Sequence, residues 1–186
     1  RSTMSGGVRY DNRSLNSKQL LEGSDVKFRG FQKNFSNLSA SAGISYAATE
    51  NFVLKFNVAR GFRAPSIPEL ATNGTHEGTN RYEYGDASLK SETTLQGDLG
   101  MEINSDHLLV SATTFYNHIN NFIFYSKLPG RNGGDSLVDA GGAFLPAFKF
   151  GQHNATLAGA EILVDLHPHP FDWLHLENTF LCAWYL

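Results

Sequence analysis

The stretch ATNGTHEGTNRYEYGDASLK, residues 71 to 90, gathers the side chains of this chain best suited to hold a ligand. His76 and Glu77 are adjacent, and a ring nitrogen beside a carboxylate suits zinc, copper or iron. Two donors do not fill a coordination shell, so the same residues also read as a solvated loop packed on its neighbours. Arg81, Tyr82 and Tyr84 offer a different chemistry: a guanidinium for an anionic group and phenol rings for stacking. That set suits an anionic chelate or a haem better than a bare ion. Loops held on a rigid scaffold are where recognition concentrates, which makes this stretch the first candidate for ligand contact.

Other motifs carry less. His167 and His169 in HPHP sit beside a turn, and turn chemistry accounts for them. GRNGGD (130 to 135) lacks the Lys-Ser/Thr of a phosphate loop and lies between strand patterns. Neither a Gly-x-Ser-x-Gly elbow nor a His-Glu-x-x-His run occurs. Asp98, Glu102, Glu161 and Asp165 would suit the paired acids of a glycosidase, but a hydrated lumen explains scattered carboxylates more simply. The chain is therefore read as a non-enzyme without a cofactor.

The 186 residues carry a net charge of -3, which argues against nucleic acid as a partner. Cys182 is the single cysteine, so no disulfide closes within the chain. The opening RSTMSGGVRYD has no apolar signal segment, and no run is long enough for a membrane-spanning helix. Neither point bears on a membrane β-barrel, whose strands leave only an alternating signal.

Alternation is what the positioning elements show. In LSASAGISY (38 to 46), Leu38, Ala40, Ala42, Ile44 and Tyr46 share one parity and small polar residues the other. FVLKFNVA (52 to 59), LQGDLGMEI (95 to 103), the long run from His107, TLAGAEILVDL (156 to 166) and LHLENTFLCAW (174 to 184) repeat the pattern. With a first strand near GGVRYD this makes roughly seven strands and no convincing helix. Short turns at 48–51, 104–106 and 167–172 alternate with long polar links at 13–35, 63–91 and 127–149. All long links then fall at one end of an antiparallel sheet, as in outer-membrane barrels. A soluble extracellular β-sandwich also alternates. Ser, Gly, Asn and Gln on the polar face, and segments of about 9 to 11 residues, favour the barrel.

One pattern ends abruptly, on RGFRAPSIPEL (60 to 70). Gly61 permits a bend, and Pro65 and Pro68 have no N–H for a ladder, so the chain is expected to leave the sheet as an extended segment. Phe62 suits an interfacial aromatic girdle, and Arg60 and Arg63 suit the headgroup zone or a barrel mouth, where each finds water or a carboxylate. Followed by YGDASLKSETT and LQGDLGMEI, this stretch resembles the barrel domain of TonB-dependent outer-membrane receptors. The likeness rests on Arg60, Gly61, Phe62, Arg63, Ala64, Pro65, Glu69 and Leu70, then on Gly85, Asp86, Leu89, Lys90 and Glu92. TTFYNHINNFI and ATLAGAEILVDLHP are similar to later strands of such barrels.

The resemblance implies an all-β, up-and-down antiparallel sheet forming part of a transmembrane barrel in the outer membrane of a Gram-negative bacterium. It implies import of a metal complex, a ferric siderophore first and zinc or haem as alternatives, with TonB acting through a plug domain. Residues 1–186 are then expected to be a piece of the barrel domain, with plug and remaining strands elsewhere. The implied partners are TonB, the metal chelate and membrane lipid. The bare strand edges of an isolated piece are expected to drive self-association.

Overall fold

Two-residue alternation carries the chain through seven long antiparallel strands: β1 (Ser2–Ser17), β4 (Phe31–Ala47), β5 (Phe52–Arg63), β8 (Glu92–Ser105), β9 (Leu108–Lys127), β11 (Phe144–Leu166) and β12 (Leu176–Tyr185). The structure is a computed structural model and describes residues 1–28, 30–76, 78–168, 170–171 and 173–185. Between these strands lie a small hairpin of β2 (Leu20–Glu22) and β3 (Asp25–Phe28), a helical turn α1 (Ile67–Ala71), and the short strands β6 (Asn73–Thr75), β7 (Tyr82–Tyr84) and β10 (Leu137–Asp139). The long strands pair with their sequence neighbours throughout, which is up-and-down topology. The sheet is open, not closed into a complete barrel: among the described residues β1 pairs only with β4, and β12 only with β11.

Register shows which face meets what. One row across the sheet runs Met4, Ile44, Phe56, Leu99, Thr114, Ala160, Cys182. The next row of the same parity runs Tyr46, Leu54, Met101, Ala112, Ile162, Phe180. These side chains form one continuous apolar face, and it is bare: Phe56 is 48 %, Leu99 58 % and Phe180 63 % exposed. The intervening row, Ser45, Lys55, Gly100, Thr113, Glu161, is polar as far as β11 and ends on the exposed Leu181 of β12. A sandwich would press its apolar parity against a second layer. Here it faces outward, as a lipid-facing wall requires, and the sandwich alternative falls.

The buried core lies elsewhere, at the end carrying the long links. Leu15, Phe35, Ala64, Leu70, Leu89 and Ile123 cluster there, with Phe31 and Phe150 against them. The links are more structured than alternation suggested. β1 and β4 stay paired up to Ser17 and Phe31, so the first link shrinks to 18–30 and itself folds as the β2–β3 hairpin. β11 starts at Phe144, inside the stretch read as a polar link. Late in β9 the ladder is irregular: Asn121 adopts φ 56° where the pairing with β11 shifts register, a bulge.

Candidate functional site

The RGFRAPSIPEL stretch proves to be a latch. Arg63, the last residue of β5, grips two carboxylates at once. Its Nε and Nη2 donate to Glu92 at 2.7 and 2.8 Å, and its Nη1 donates to both oxygens of Glu69 at 2.9 Å. Such forked pairing is what guanidinium geometry allows and an ammonium does not. Glu92 is buried and also accepts the Ile123 backbone N–H. Ala64 and Pro65 are buried beside this knot.

Beyond Pro65 the chain does not stay extended. Ser66 caps α1: its Oγ accepts the Glu69 N–H, and Glu69 accepts the Ser66 N–H at 2.7 Å, a capping box. Pro68 sits in the first turn, where its missing N–H costs nothing. Leu70, on the inner side of this helix, is 2 % exposed and enters the core. The second half of the motif closes on it. Gly85 lies so near that a Cβ there would stand 2.5 Å from the Ala71 nitrogen. The Gly85 N–H donates to Thr72 O at 2.7 Å, and the Asp86 N–H to Glu69 O at 2.8 Å. Leu89 fills the core, and Gln152 exchanges hydrogen bonds with the Lys90 backbone at 2.8 Å. Asp86 accepts from the Ser88 side chain at 2.6 Å and the Ser88 N–H at 2.8 Å and lies 3.5 Å from the Lys149 ammonium. The Ser88 hydroxyl, with help from Lys149, holds the Asp86 carboxyl below its ordinary pKa.

Between the latched ends β6 and β7 pair as a hairpin, and β7 joins the sheet parallel to β11 at 147–149. His76 is exposed, its Nδ1 3.0 Å from the Thr79 hydroxyl. Glu77 lies outside the described residues. Arg81 donates from Nε to Glu83 at 2.6 Å and lies 4.2 Å over the Tyr125 ring. Burial works to lower the Arg81 pKa, and its contacts with Tyr125 and Glu83 more than reverse that. Tyr82 donates to Asn73 at 3.0 Å, and the Tyr82 and Tyr84 rings stand 5.1 Å apart. So Arg81 braces the loop onto β9, while the half-buried Tyr82 borders a cleft. A cleft of about 380 Å³ opens there, lined by Lys27, Gly74, Thr75, Tyr82 and residues 139–141. Lys27 comes from the β2–β3 hairpin, whose Lys27 carbonyl accepts from Asn73. Sequence reasoning did not single out Lys27 or Asp139. Only the fold brings them beside Tyr82.

Arg60 and Phe62 lie lower on β5. Arg60 pairs with Ala40 and Leu95 on the outward parity, and its guanidinium reaches back to the Leu38 carbonyl. A long charged side chain on a lipid-facing wall behaves this way, turning its head to backbone and water. Phe62 is half-buried, paired with Thr93. Gly61 stands opposite Thr94, whose hydroxyl would lie 3.1 Å from a Cβ added at Gly61.

Comparison with known proteins gives one consistent result. The chain is 33 % identical, over 47 % of its length, to the ferric enterobactin receptor of Pseudomonas aeruginosa, and 30 % identical, over 47 %, to the ferrienterobactin receptor of Escherichia coli K12. It spans 13 % of the length of each. Among solved structures, the copper transporter OprC superposes on all of this chain with a TM-score of 0.75 at 17 % identity, over 27 % of its own length. That likeness is one of fold. The family described as "TonB dependent receptor-like, beta-barrel" matches residues 1–181. Its members are outer-membrane transport receptors of Gram-negative bacteria rather than enzymes, so the glycosidase alternative falls as well. With the bare apolar wall and the latched mouth loop in place, the chain belongs to the TonB-dependent receptor β-barrel family.

Proposed function

We propose that this chain forms wall and mouth of a receptor that binds a ferric siderophore outside the cell and imports it with energy passed on by TonB through a plug domain. One observation carries the ligand class. Three separate links converge on a single cleft at the mouth, which offers an ammonium (Lys27) and a phenol (Tyr82) over a rigid sheet. A cation and an aromatic ring are what a large anionic chelate recognises. The relatives named as ferric enterobactin receptors support the same choice. In this reading residues 1–186 are one part of the barrel domain. The edges of β1 and β12 are covered by further strands of the receptor, and a piece expressed alone self-associates through them.

The test is titration of the complete receptor in detergent with a ferric siderophore, haem and zinc in turn, alongside uptake in cells with and without TonB. The expected outcome is saturable siderophore binding, about tenfold weaker in Tyr82→Ala, and uptake lost without TonB. Saturation by haem or zinc alone would overturn the siderophore assignment. Zinc binding that disappears in His76→Ala would move the ligand to the hairpin tip.

A further inference from the structure

At the opposite end of the wall, the turn joining β11 to β12 assembles three metal-binding side chains that the cleft does not use. Asp165, near the end of β11, and His167 and His175 bring their ligand atoms within 4.8 Å of one another. His167 Nε2 is 3.1 Å from Asp165 Oδ2, and His175 Nε2 is 3.5 Å from Asp165 Oδ1. The two imidazole Nε2 atoms point directly at each other, their rings 3.8 Å apart. Asp165 Oδ1 is buried and accepts no hydrogen bond. The His167 backbone N–H donates to His107 O at 2.9 Å, which braces the turn on the neighbouring β8–β9 turn.

We infer that Asp165, His167 and His175 form a site for a divalent transition-metal ion, zinc by its donor set, which clips the β11–β12 turn. Two facing ring nitrogens can share one proton between them as neutral rings and repel when both are charged, whereas a cation satisfies both lone pairs at once. In a tetrahedral site with bonds of about 2.0–2.1 Å, ligand atoms stand roughly 3.3 Å apart, and the two His–Asp distances bracket that spacing. The rings are exposed, so a small rotation opens the nitrogen pair to the same separation and leaves a fourth position for water. Imidazole with carboxylate selects zinc, copper or nickel over calcium or magnesium. Short turns of these barrels face the periplasm, so this ion sits on the far side of the membrane from the mouth cleft.

The experiment uses the complete folded receptor in detergent, with zinc chloride as the only probe and a colorimetric chelator in competition. The expected result is one zinc bound per chain, with affinity at least ~10-fold lower in His167→Ala and in His175→Ala and unchanged in His76→Ala. Amides of residues 173–176 should exchange more slowly with zinc in the wild type and show no such change in His175→Ala. Retained strand circular dichroism confirms that the variants are folded. The site is refuted if the folded wild type takes up no zinc, if the double variant His167→Ala/His175→Ala binds it as tightly, or if His76→Ala is the change that abolishes binding. Siderophore titration of the same variants reads the mouth cleft separately, so either assignment can fail without the other.

Discussion

Replacing Arg63 by Met tests whether the family motif is a latch. In the wild type the buried Glu92 carboxylate receives two N–H bonds from Arg63 and one from the Ile123 backbone. Met fills much of the Arg63 volume and removes both charge-assisted bonds, which leaves the Glu92 carboxyl buried and short of partners. Breaking one side of a buried pair costs about 3–5 kcal/mol. Arg63 is 44 % exposed, so water reaches part of the gap, and about 2–3 kcal/mol is the better figure. The loss falls on docking of the 64–91 segment, because the ladder between β5 and β8 is untouched. At 1.4 kcal/mol per tenfold, exchange of the Leu70 and Leu89 amides should accelerate roughly 30- to 140-fold in the complete receptor, read by mass spectrometry. Amides in the middle of β5 and β8 should keep their rates. Adding Glu92→Met to Arg63→Met should restore most of the protection, since an apolar pair leaves no stranded charge. The reasoning is wrong if the single variant exchanges like the wild type, or if protection is lost evenly along β5 and β8.

Three further outcomes follow from the same geometry. A spin label at Phe56 should be reached by oxygen from the lipid phase and one at Asn57 by a water-soluble nickel complex; matched accessibility would refute the assigned faces. Gly85→Ala should loosen the loop by about 1–3 kcal/mol, measured by protease cleavage within 72–84, because its Cβ would meet Ala71 and Thr72 backbone nitrogens at 2.5 and 2.7 Å. The depressed Asp86 pKa contributes docking stability that is complete above the unfolded value of about 3.9 and is lost as pH falls through the lower folded value. Loop exchange, corrected for intrinsic rates, should therefore rise below about pH 4 in the wild type and rise less steeply in Asp86→Asn, where only the Glu69 and Glu92 carboxylates of the latch remain to titrate.

The wall was legible because lipid enforces it. Where a strand crosses hydrocarbon, every second residue must be apolar, and Leu54, Phe56, Leu99 and Ile162 announce their strands. Past the hydrocarbon that demand ends while the ladder continues. NRSLNS of β1 and FQKNFS of β4 pair residue by residue yet show no alternation, so they read as a link. The short helix was hidden by its prolines: Pro65 and Pro68 read as breakers, although proline in a first turn is compatible with a helix. The Ser66-x-x-Glu69 spacing was the available signal for it. At the site, Tyr82 was recognisable by type, but the turn of Arg81 toward Glu83 and Tyr125 depends on a register set about 40 residues away, and no local pattern encodes that.

The latch also separates what holds the mouth loop from what the loop presents. The latch is built from residues 63–72 and 85–92, braced on the wall by Ile123, Lys149 and Gln152, and the chain leaves at Thr72 and returns at Gly85 through one backbone hydrogen bond of 2.7 Å. Residues 73 to 84 therefore begin and end at the same point, and shortening such a loop changes its closure entropy only slowly. Replacing Asn73–Tyr84 by two glycines should leave the latch standing: Leu70 and Leu89 amides stay protected within about threefold, while siderophore binding falls with the loss of Tyr82 and the Lys27-facing edge. The parallel pairing of β7 with β11 is the competing support, since it ties the same hairpin to the wall. If excision releases Leu89 as fully as Arg63→Met does, the hairpin holds the latch rather than the reverse, and recognition and anchoring cannot vary independently in this barrel.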